Sequence, residues 1–342
     1  MKHITIKDVA RALNVSISTI SRAFNDKYDI HPDTKNAILK KAREMGYTPN
    51  PFAQRMTQQK SYLVGIVVPE FVNAFFPNII MSIQRVMSKN GYQVLIMSSE
   101  ESATKELENI KTLEKNMVDG IIISLTQETR DISYFQELLN KGIPIVQFNR
   151  VSQKLATPKI IFDDVQWAAQ ATEHLIQQGY KRIYHISGPN SLILSHNRSK
   201  GFSDTLKKHQ LSLTENKIIE TGIFIEDGKK IANKLIENND IPEAMYCFND
   251  PIAIGAMEVF KTHNFRIPED IAFIGFTESR IAPHLSPALS SVEQPTAEFG
   301  EITAQSLLDI IKYLHDIKDK TIILNGKLNI RASSVLNMHL PV

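Results

Sequence analysis

The first 50 residues carry apolar side chains at helical spacing in three short runs. Val9, Ala10 and Leu13 fall on one face of the first run, and Ile20 and Ala23 share one face of the second. The predicted helices begin near Ile6 behind a capping box of Thr5 and Asp8, extend from Ser16 to about Asn25, and extend from near Pro32 to Gly46. Three helices of this length would share one small core.

From residue 62 onward, short apolar runs alternate with amphipathic helical stretches. This alternation is typical of parallel sheets whose strands are connected by helices. It predicts strands near residues 64–68, 94–98, 120–124 and 145–148 in a first lobe, and near 159–162, 183–187, 218–221, 244–248 and 271–276 in a second. A later helix near 297–313 and strands near 321–324 and 328–331 are expected to complete both lobes, with a cleft between them.

The predicted fold class is an all-α helix-turn-helix head followed by an α/β body of two doubly wound parallel-sheet lobes. The head is expected to occupy residues 1–58, with a hinge helix at 50–58, and the body residues 60–342. Lobe one is assigned to about 61–158 plus about 293–324, and lobe two to about 159–292 plus about 325–342.

Composition is that of an ordinary globular protein. The 342 residues are 42% hydrophobic and 22% charged, so a disordered or fibrous chain is excluded. A single cysteine, Cys247, forms no intrachain disulfide, and polar residues follow Met1 directly. No apolar run approaches the roughly 20 residues of a membrane-spanning helix. We therefore expect a cytoplasmic protein with no membrane role.

Charge is divided unevenly along the chain. Residues 1–60 contain 11 Lys and Arg against 5 Asp and Glu, a net charge of +6, and the remaining residues sum to −4. A compact basic head is the usual electrostatic sign of phosphate binding. The second predicted helix adds a candidate reading surface, since its exposed side presents small polar groups and Arg22, which suit the DNA major groove.

The head resembles the N-terminal helix-turn-helix of LacI/GalR-family transcriptional repressors. The matching residues, at matching spacing, are Thr5 to Ala10, Val15, Ser16, Thr19 to Arg22, Asn25, Pro32, Thr34, Ala42, Gly46, Tyr47, Pro49, Asn50 and Ala53. The resemblance implies that Ile17, Ser18 and Arg22 face base edges. It also implies that Thr19, Ser21, Asn25, Thr34 and Tyr47 hold phosphates; the other candidate DNA-binding residues are Thr5, Ser16, Asn50, Ala53 and Met56.

Residues 50–58 have the pattern of a short helix, with Asn50 as N-cap and Pro51 at its first position. About two turns are too short to be stable alone in water. In the family that the head resembles, this segment is a hinge helix that orders on the operator and inserts a leucine into the central base step. Met56 occupies that position here, and a methionine is long and apolar enough to act as the wedge. The alternative is a plain linker.

The body is similar to the periplasmic-binding-protein-like (type I) sensor of the same family. The resemblance rests on Asp119 to Ile122, Gly188 with Pro189, Arg198 with Gly201 and Phe202, Asn249 with Asp250, and residues 274–276. It implies a ligand in the cleft, held by Asn73, Phe75, Asn149, Arg198, Phe224, Asn249, Asp250 and Thr277. These side chains suit a sugar, because amides, carboxylates and guanidinium groups bond hydroxyls and aromatic rings stack on its apolar face.

Two of these positions depart from the family pattern. Thr277 and Asn149 stand where the family often has an acid, so two negative charges are missing and a neutral or anionic ligand is favoured. Other interpretations stay open at this point: Arg198 could pair with a surface acid, the two phenylalanines could belong to the core, and Trp167 could line the cleft or fill the core.

Enzyme chemistry has little support in the sequence. It contains no Walker A, GxGxxG, HExxH or GxSxG motif, and Asp163 and Asp164 are expected to begin a helix rather than bind a metal. We expect no catalytic residue, metal or cofactor. The leading hypothesis is a dimeric or tetrameric repressor of carbohydrate-utilisation genes that binds a pseudo-palindromic operator under the control of a small effector. A solute-binding protein and a cleft enzyme are the alternatives.

Overall fold

The computed structural model describes residues 4–24, 30–48, 60–212, 218–313 and 319–336. Two compact units divide the chain, Met1–Ser61 and Tyr62–Val342, and we describe each by itself as the head and the body. In the described residues no helix is both long and apolar enough to cross a membrane.

The head contains the helices α1 (Ile6–Leu13), α2 (Ile17–Phe24) and α3 (Pro32–Glu44). Asp8 accepts hydrogen bonds from the backbone N–H and the hydroxyl of Thr5 at 2.9 and 2.7 Å, so the predicted capping box is confirmed. Ser16 caps α2, where its Oγ accepts from the N–H of Thr19 at 3.1 Å. Asn14, in the left-handed region at φ 53°, ends α1 and allows the tight turn between the two helices.

One small apolar core holds the three helices of the head together. Its buried members come from all three helices: Val9, Ala10, Ile20, Ala23, Ile38 and Ala42. Tyr47, which follows α3, packs its ring edge-on against the partly buried Phe24 with the centroids 5.6 Å apart. Because each fully buried Val or Ile contributes about 1.5–3 kcal/mol, these few side chains supply most of the head's stability.

The body alternates strands and helices as its pattern predicts. The strands are β1 (Leu63–Val68), β2 (Gln93–Ser98), β3 (Gly120–Ile123), β4 (Ile145–Phe148), β5 (Lys159–Phe162), β6 (Ile183–Ser187), β7 (Ile218–Glu220), β8 (Ala244–Cys247), β9 (Ala272–Phe276), β10 (Ser290–Glu293), β11 (Thr321–Leu324) and β12 (Lys327–Asn329). The helices are α4 (Phe75–Lys89), α5 (Ala103–Lys115), α6 (Ser133–Asn140), α7 (Asp164–Gln177), α8 (Ile193–Lys208), α9 (Ile225–Glu237), α10 (Asp250–Thr262) and α11 (Thr296–Tyr313).

The strands form two sheets. Sheet one has the order β11-β5-β4-β3-β1-β2 and is parallel throughout. Sheet two has the order β12-β10-β9-β8-β6-β7 and is parallel except for the antiparallel pair of β12 with β10. Both orders reverse direction next to their first strand, β1 or β6, and ligands of open α/β sheets bind at the strand carboxyl ends beside that reversal.

The strand β5 belongs to lobe one, although the sequence pattern predicts it in lobe two. β5 was assigned to lobe two, but it pairs with β4 and β11 in sheet one, with Phe148 opposite Ile160 and Ile161 opposite Ile323. Lobe one therefore extends through Phe162 rather than ending near residue 158. A short run of buried apolar residues fits any parallel sheet, so local pattern does not decide which sheet a strand joins.

Candidate DNA-binding face and inter-lobe cleft

The exposed side of α2 is polar apart from one isoleucine. Ser16, Ile17, Ser18 and Arg22 are exposed, and Ile17 is 45% exposed although it is apolar. The hydroxyl of Ser16 lies 2.7 Å from the hydroxyls of both Ser18 and Thr19, so three hydroxyls are held together at the helix N-terminus. An exposed helix N-terminus with such groups favours anions such as phosphates.

Only some of the other candidate DNA-binding residues of the head are among the described residues. Thr34 is exposed in the first turn of α3, and Ser21 is half-buried on α2. Burial against the head core raises the pKa of Tyr47 above its ordinary value. The remaining candidates, Asn25, Asn50, Ala53 and Met56, and with them the hinge at residues 50–58, lie outside the described residues.

A cleft between the two lobes is built from residues that follow the strand carboxyl ends. The space between its walls, counted together with the solvent at its open mouth, is about 460 Å³. The residues that line it, which we call the inter-lobe cleft, are Glu70, Asn73, Phe75, Phe76, Asn149, Arg150, Leu194, Arg198, Ile223, Phe248, Asn249, Pro251, Thr277 and Gln294.

Six of the eight predicted ligand residues are in that lining: Asn73, Phe75, Asn149, Arg198, Asn249 and Thr277. Two of them have backbones in the left-handed region, Asn149 at φ 58° and the β-branched Thr277 at φ 95°. Such conformations are uncommon for residues with a Cβ and are found preferentially at functional sites. They follow β4 and β9 directly, where the chain turns away from the sheet at the cleft.

Arg198 is the most deeply buried of these residues, with 2% of its surface exposed. Its Nε and Nη2 lie 2.8 Å from Oδ1 of Asp164, and its Nη1 donates to the carbonyl oxygen of Phe248 at 2.5 Å. The guanidinium also lies 3.7 Å from the ring centroid of Phe276 and 4.4 Å from that of Phe248. Burial raises the pKa of Asp164 and the Arg198 charge opposes that rise. Because arginine keeps its proton, the carboxylate is the stable partner beside it.

A second arginine, Arg150, reaches the cleft from the loop after β4. Its Nη1 donates to both carboxylate oxygens of Glu101, at 2.7 and 2.9 Å. Its Nε is buried and, within the described part of the chain, has no hydrogen-bond partner. The same is true of Nε2 of Gln294, which follows β10. A buried donor without a partner is costly, so both groups are suited to acceptors on a bound molecule.

The amide and carboxyl groups near the cleft mouth are already engaged. Asn249 caps α10, where its Oδ1 accepts from the N–H of Ile252 at 3.0 Å and its Nδ2 donates to the Ile223 carbonyl at 2.8 Å. Glu70 accepts from the backbone and side chain of Asn73 at 2.9 and 3.0 Å. Burial raises the pKa of Glu70, and these hydrogen bonds together with Arg150 oppose the rise.

Asp250 does not line the cleft, contrary to the sequence prediction. It is fully buried, where its Oδ1 accepts from the hydroxyl of Ser291 at 2.6 Å and its Oδ2 from the N–H of Ser279 at 2.5 Å. Gly275 makes room for it, since a Cβ there would lie 2.1 Å from Oδ1. Burial raises the pKa of Asp250 to about 6. The carboxyl group therefore connects the start of α10 to β10 by a hydrogen bond, and it lies behind the residues that line the cleft.

Phe224 is the second predicted ligand residue outside the lining. It occupies the N-cap position of α9, is 39% exposed, and donates its backbone N–H to Asp227 at 3.0 Å. Its neighbour Ile223 lines the cleft instead. Trp167 belongs with the core: its ring stacks on Phe162 with the centroids 6.4 Å apart, and it packs against the large buried cluster of the body.

Sequence reasoning missed eight of the lining residues: Glu70, Phe76, Arg150, Leu194, Ile223, Phe248, Pro251 and Gln294. Position was the available signal for most of them, because they stand within a few residues of a strand carboxyl end. Leu194 and Arg198 instead come from one face of α8. Within the described residues no group of three or more His, Cys, Asp and Glu side chains could hold a metal ion. Asp163 caps α7, accepting from the N–H of Gln166 at 3.0 Å.

Comparisons with known proteins agree over both units. The family model for periplasmic binding proteins and the sugar binding domain of the LacI family matches residues 61–325, and that for bacterial regulatory proteins of the lacI family matches residues 5–50. The HTH-type transcriptional regulator DegA of Bacillus subtilis (strain 168) is 33% identical over 297 residues, which cover 86% of this chain and 88% of DegA.

Two solved structures show the same architecture. The lac repressor dimer bound to operator and the anti-inducer ONPF has a TM-score of 0.84 at 22% identity, covering 98% of this chain and 100% of that one. The transcriptional regulator CelR in complex with cellobiose has a TM-score of 0.73 at 25% identity, covering 97% of this chain and 100% of that one. The predicted fold class is thereby confirmed, and these relatives are regulators rather than enzymes. The chain belongs to the LacI family of bacterial transcriptional repressors, with a DNA-binding helix-turn-helix head and a periplasmic-binding-protein-like body.

Proposed function

We propose that two copies of this chain bind a pseudo-palindromic operator of carbohydrate-utilisation genes, and that a sugar or sugar derivative in the inter-lobe cleft sets the operator affinity. The observation that carries the proposal is the exposed face of α2, with Ile17, Ser18 and Arg22, in the same chain as a cleft lined by amide, carboxyl and guanidinium side chains. The lac repressor on its operator and CelR with cellobiose support the two halves of the proposal.

In this proposal α2 enters the major groove. Arg22 donates two hydrogen bonds to O6 and N7 of a guanine, Ser18 bonds a base edge, and Ile17 contacts a thymine methyl group. Phosphates are held by the hydroxyls and amides around this face: Thr19, Ser21, Asn25, Thr34 and Tyr47. The net charge of +6 over residues 1–60 makes this binding strongly dependent on salt, because each neutralised phosphate releases counterions.

The dimer contact is assigned to the β2 edge of sheet one. β2 is an edge strand, and Ile96 on it is 42% exposed. Side chains two residues apart share a face, so Ile96 lies on the same face as Val94, which packs against the cluster containing α4. Met81 on α4 is 47% exposed. An exposed apolar edge of this kind favours association with a second copy.

Coupling between the two sites requires only that the ligand binds the two arrangements of the lobes unequally. Cleft closure would move one lobe of each copy relative to the dimer contact and change the free energy of ordering the hinges at residues 50–58 on DNA. There Met56 would enter the central base step. The coupling is reciprocal, so DNA changes ligand affinity by the factor by which ligand changes DNA affinity.

The test starts from a random DNA library. The full chain selects a sequence, and fluorescence anisotropy measures its affinity with and without a panel of mono- and disaccharides. We expect a palindromic consensus and at least one sugar that shifts the affinity; the sign of the shift distinguishes inducer from corepressor. Sugar binding without any DNA selection would instead indicate a solute-binding protein. Chemical conversion of a sugar into a product, detected by mass spectrometry, would indicate an enzyme.

A further inference from the structure

The inter-lobe cleft is lined by three charged residues, Glu70, Arg150 and Arg198, among the described residues. Both arginines are already paired with a carboxylate outside the lining. Arg198 and Asp164 have side chains only 2% and 1% exposed, so their pairing is isolated from solvent. Charges buried in this way are paired strongly and are screened little by salt.

The second pair, Arg150 with Glu101, repeats this arrangement in lobe one. The two side chains are 8% and 14% exposed, and one nitrogen of the guanidinium bonds both carboxylate oxygens. Glu101 is fixed from the other side by the N–H of Gln127 at 3.1 Å and the hydroxyl of Thr126 at 3.3 Å. The carboxylate is therefore held in place and does not need to leave the arginine when a ligand enters.

An acidic ligand would find no unpaired cation in this cleft. It would have to give up its hydration beside Glu70 while Asp164 and Glu101 already neutralise the two arginines, which is unfavourable without a compensating charge. Uncharged hydroxyls meet a different environment. The Nε–H of Arg150 and the Nε2 amide of Gln294 are shielded from solvent and have no partner among the described residues, so a side-chain shift that brought them to the cleft surface would let them donate to hydroxyls without any change in net charge.

We propose that the cleft selects an uncharged polyhydroxy ligand over its carboxylate and phosphate derivatives, and that Asp164 and Glu101 determine this selectivity by neutralising Arg198 and Arg150. The proposal rests on the proposed function, since it names the class of effector for the same cleft. Asp164 and Glu101 are positioning residues, which act through the two arginines and do not touch the ligand. Although Asn149 and Thr277 supply no negative charge, the carboxylates of Asp164 and Glu101 leave the cleft without net positive charge, and a neutral sugar is the better match.

The test uses the full chain and matched sugars. Isothermal titration calorimetry compares D-glucose with D-glucuronate and D-glucose 6-phosphate, D-galactose with D-galacturonate, and D-ribose with D-ribose 5-phosphate. We expect a neutral member to bind and its acidic partners to bind about 100-fold more weakly or not at all, which corresponds to about 2.8 kcal/mol. Tighter binding of an acid or phosphate than of its parent sugar overturns the charge proposal and leaves the effector site standing.

Charge variants test the two carboxylates directly. Glu101→Gln and Asp164→Asn each leave an arginine unpaired, so the ratio of neutral to acidic affinity should fall at least tenfold. Asp204→Asn is the control: it removes one carboxylate from a half-exposed surface pair with Lys200 and should leave the ratio unchanged. If Asp164→Asn fails to fold, Glu101→Gln alone decides the result. An unchanged ratio in a folded variant contradicts the role of that residue.

Failure of the broader proposal has a different signature. If no neutral or acidic sugar of the panel binds the full chain or alters its affinity for selected DNA, the effector site in the cleft is wrong, and the charge proposal falls with it. If sugars bind but acids are preferred, only the charge proposal is wrong.

Discussion

Arg22 and Arg198 show how surroundings give one residue type two uses. Arg22 is exposed on α2, so its charge lies at the surface of the head. Arg198 is 2% exposed, bonded to Asp164 and stacked 3.7 Å from the Phe276 ring centroid. An exposed guanidinium suits reading of bases and phosphates, whereas a buried and paired one offers fixed geometry without net charge.

Arg22→Ala is expected to remove sequence preference at the base pair that Arg22 contacts but not DNA binding as a whole. A bidentate contact to guanine contributes about 1–3 kcal/mol of discrimination, and the loss should be confined to one base pair of each half-site. Fluorescence anisotropy measures the affinity of the variant for the selected operator and for operators changed at that base pair. Arg11→Ala is the matched control, because it removes a positive charge that is 82% exposed on α1. Full discrimination in Arg22→Ala would show that another residue reads that base.

Glu106 predicts a pH dependence of stability. Its carboxylate accepts from the N–H of Thr126 at 2.8 Å and the hydroxyl of Thr129 at 2.7 Å, and burial raises its pKa from 4.5 to about 7. Between these values the folded protein holds a proton that the unfolded chain has lost. The free energy of unfolding should therefore fall as pH rises from about 4.5 to about 7, by an amount on the order of 3 kcal/mol.

Glu106→Gln should flatten this part of the stability profile. Urea unfolding of the wild type and the variant at pH 5, 6 and 7 measures the free energy of unfolding of each. The variant should gain stability relative to the wild type as the pH rises toward 7. Glu108→Gln, on an exposed position of the same helix, is the control. Parallel profiles for wild type and Glu106→Gln would mean that the buried carboxyl does not titrate in this range.

At the scale of elements, pairs of helices pack closely because glycines remove side chains from their contacts. α9 and α10 approach so closely that a Cβ at Gly255 would lie 2.0 Å from the carbonyl oxygen of Ile225. α7 and α8 do the same at Gly201, where a Cβ would lie 2.3 Å from the Val165 carbonyl. These contacts place the start of α10, with Asn249, and the Arg198 face of α8 at the cleft.

Gly255→Ala should separate α9 from α10 and destabilise the body. Overpacking of this kind costs about 1–3 kcal/mol, because backbone on both sides cannot yield to a methyl group. Thermal unfolding followed by circular dichroism measures the loss. Glu258→Ala removes only a half-exposed ion pair between α10 and Lys229 of α9 and should change the midpoint little, because surface ion pairs contribute about 0–1 kcal/mol. A midpoint for Gly255→Ala equal to that of the wild type would show that the helices can move apart freely.

At the scale of the whole body, the chain passes between the lobes three times. β5 in sheet one leads into α7, β10 in sheet two leads back to α11, and β11 in sheet one leads to β12 in sheet two. Each passage is only one or two residues long, and Gly326 in the last of them has no room for a Cβ, which would lie 2.6 Å from the Glu293 carbonyl. Short connections of this kind allow the lobes to rotate as units while keeping both sheets intact.

Ile96→Asp should dissociate the proposed dimer. A charge on the β2 edge would be buried without a partner in the interface, so we expect a monomer in analytical ultracentrifugation and at least tenfold weaker operator binding. Ile323→Asp is the matched control, since Ile323 is 57% exposed on β11, the opposite edge strand of the same sheet. A monomeric Ile323→Asp together with a dimeric Ile96→Asp would move the interface to the other edge.

Local pattern was sufficient for features that depend on neighbours in the chain. The capping box of Thr5 and Asp8, the start of α3 at Pro32 and the alternation of strands and helices follow from spacing and cap chemistry. The predicted cleft residues came instead from the resemblance to the family, and most of them stand just after a strand carboxyl end. Arg150 and Gln294 could have been included on position alone, but nothing local shows that their side chains are buried without partners.

The amino-acid sequence by itself determined the family, the helix-turn-helix and the two-lobed α/β body, because these depend on short-range periodicity and on residue types at set spacing. Only the tertiary structure decided that β5 belongs to sheet one, that Asp250 faces Ser279 and Ser291 rather than the cleft, and that Asp164 neutralises Arg198. Each of these depends on residues distant in the chain. Burial and pairing of charges arise only when separate elements pack together, so no local pattern records them.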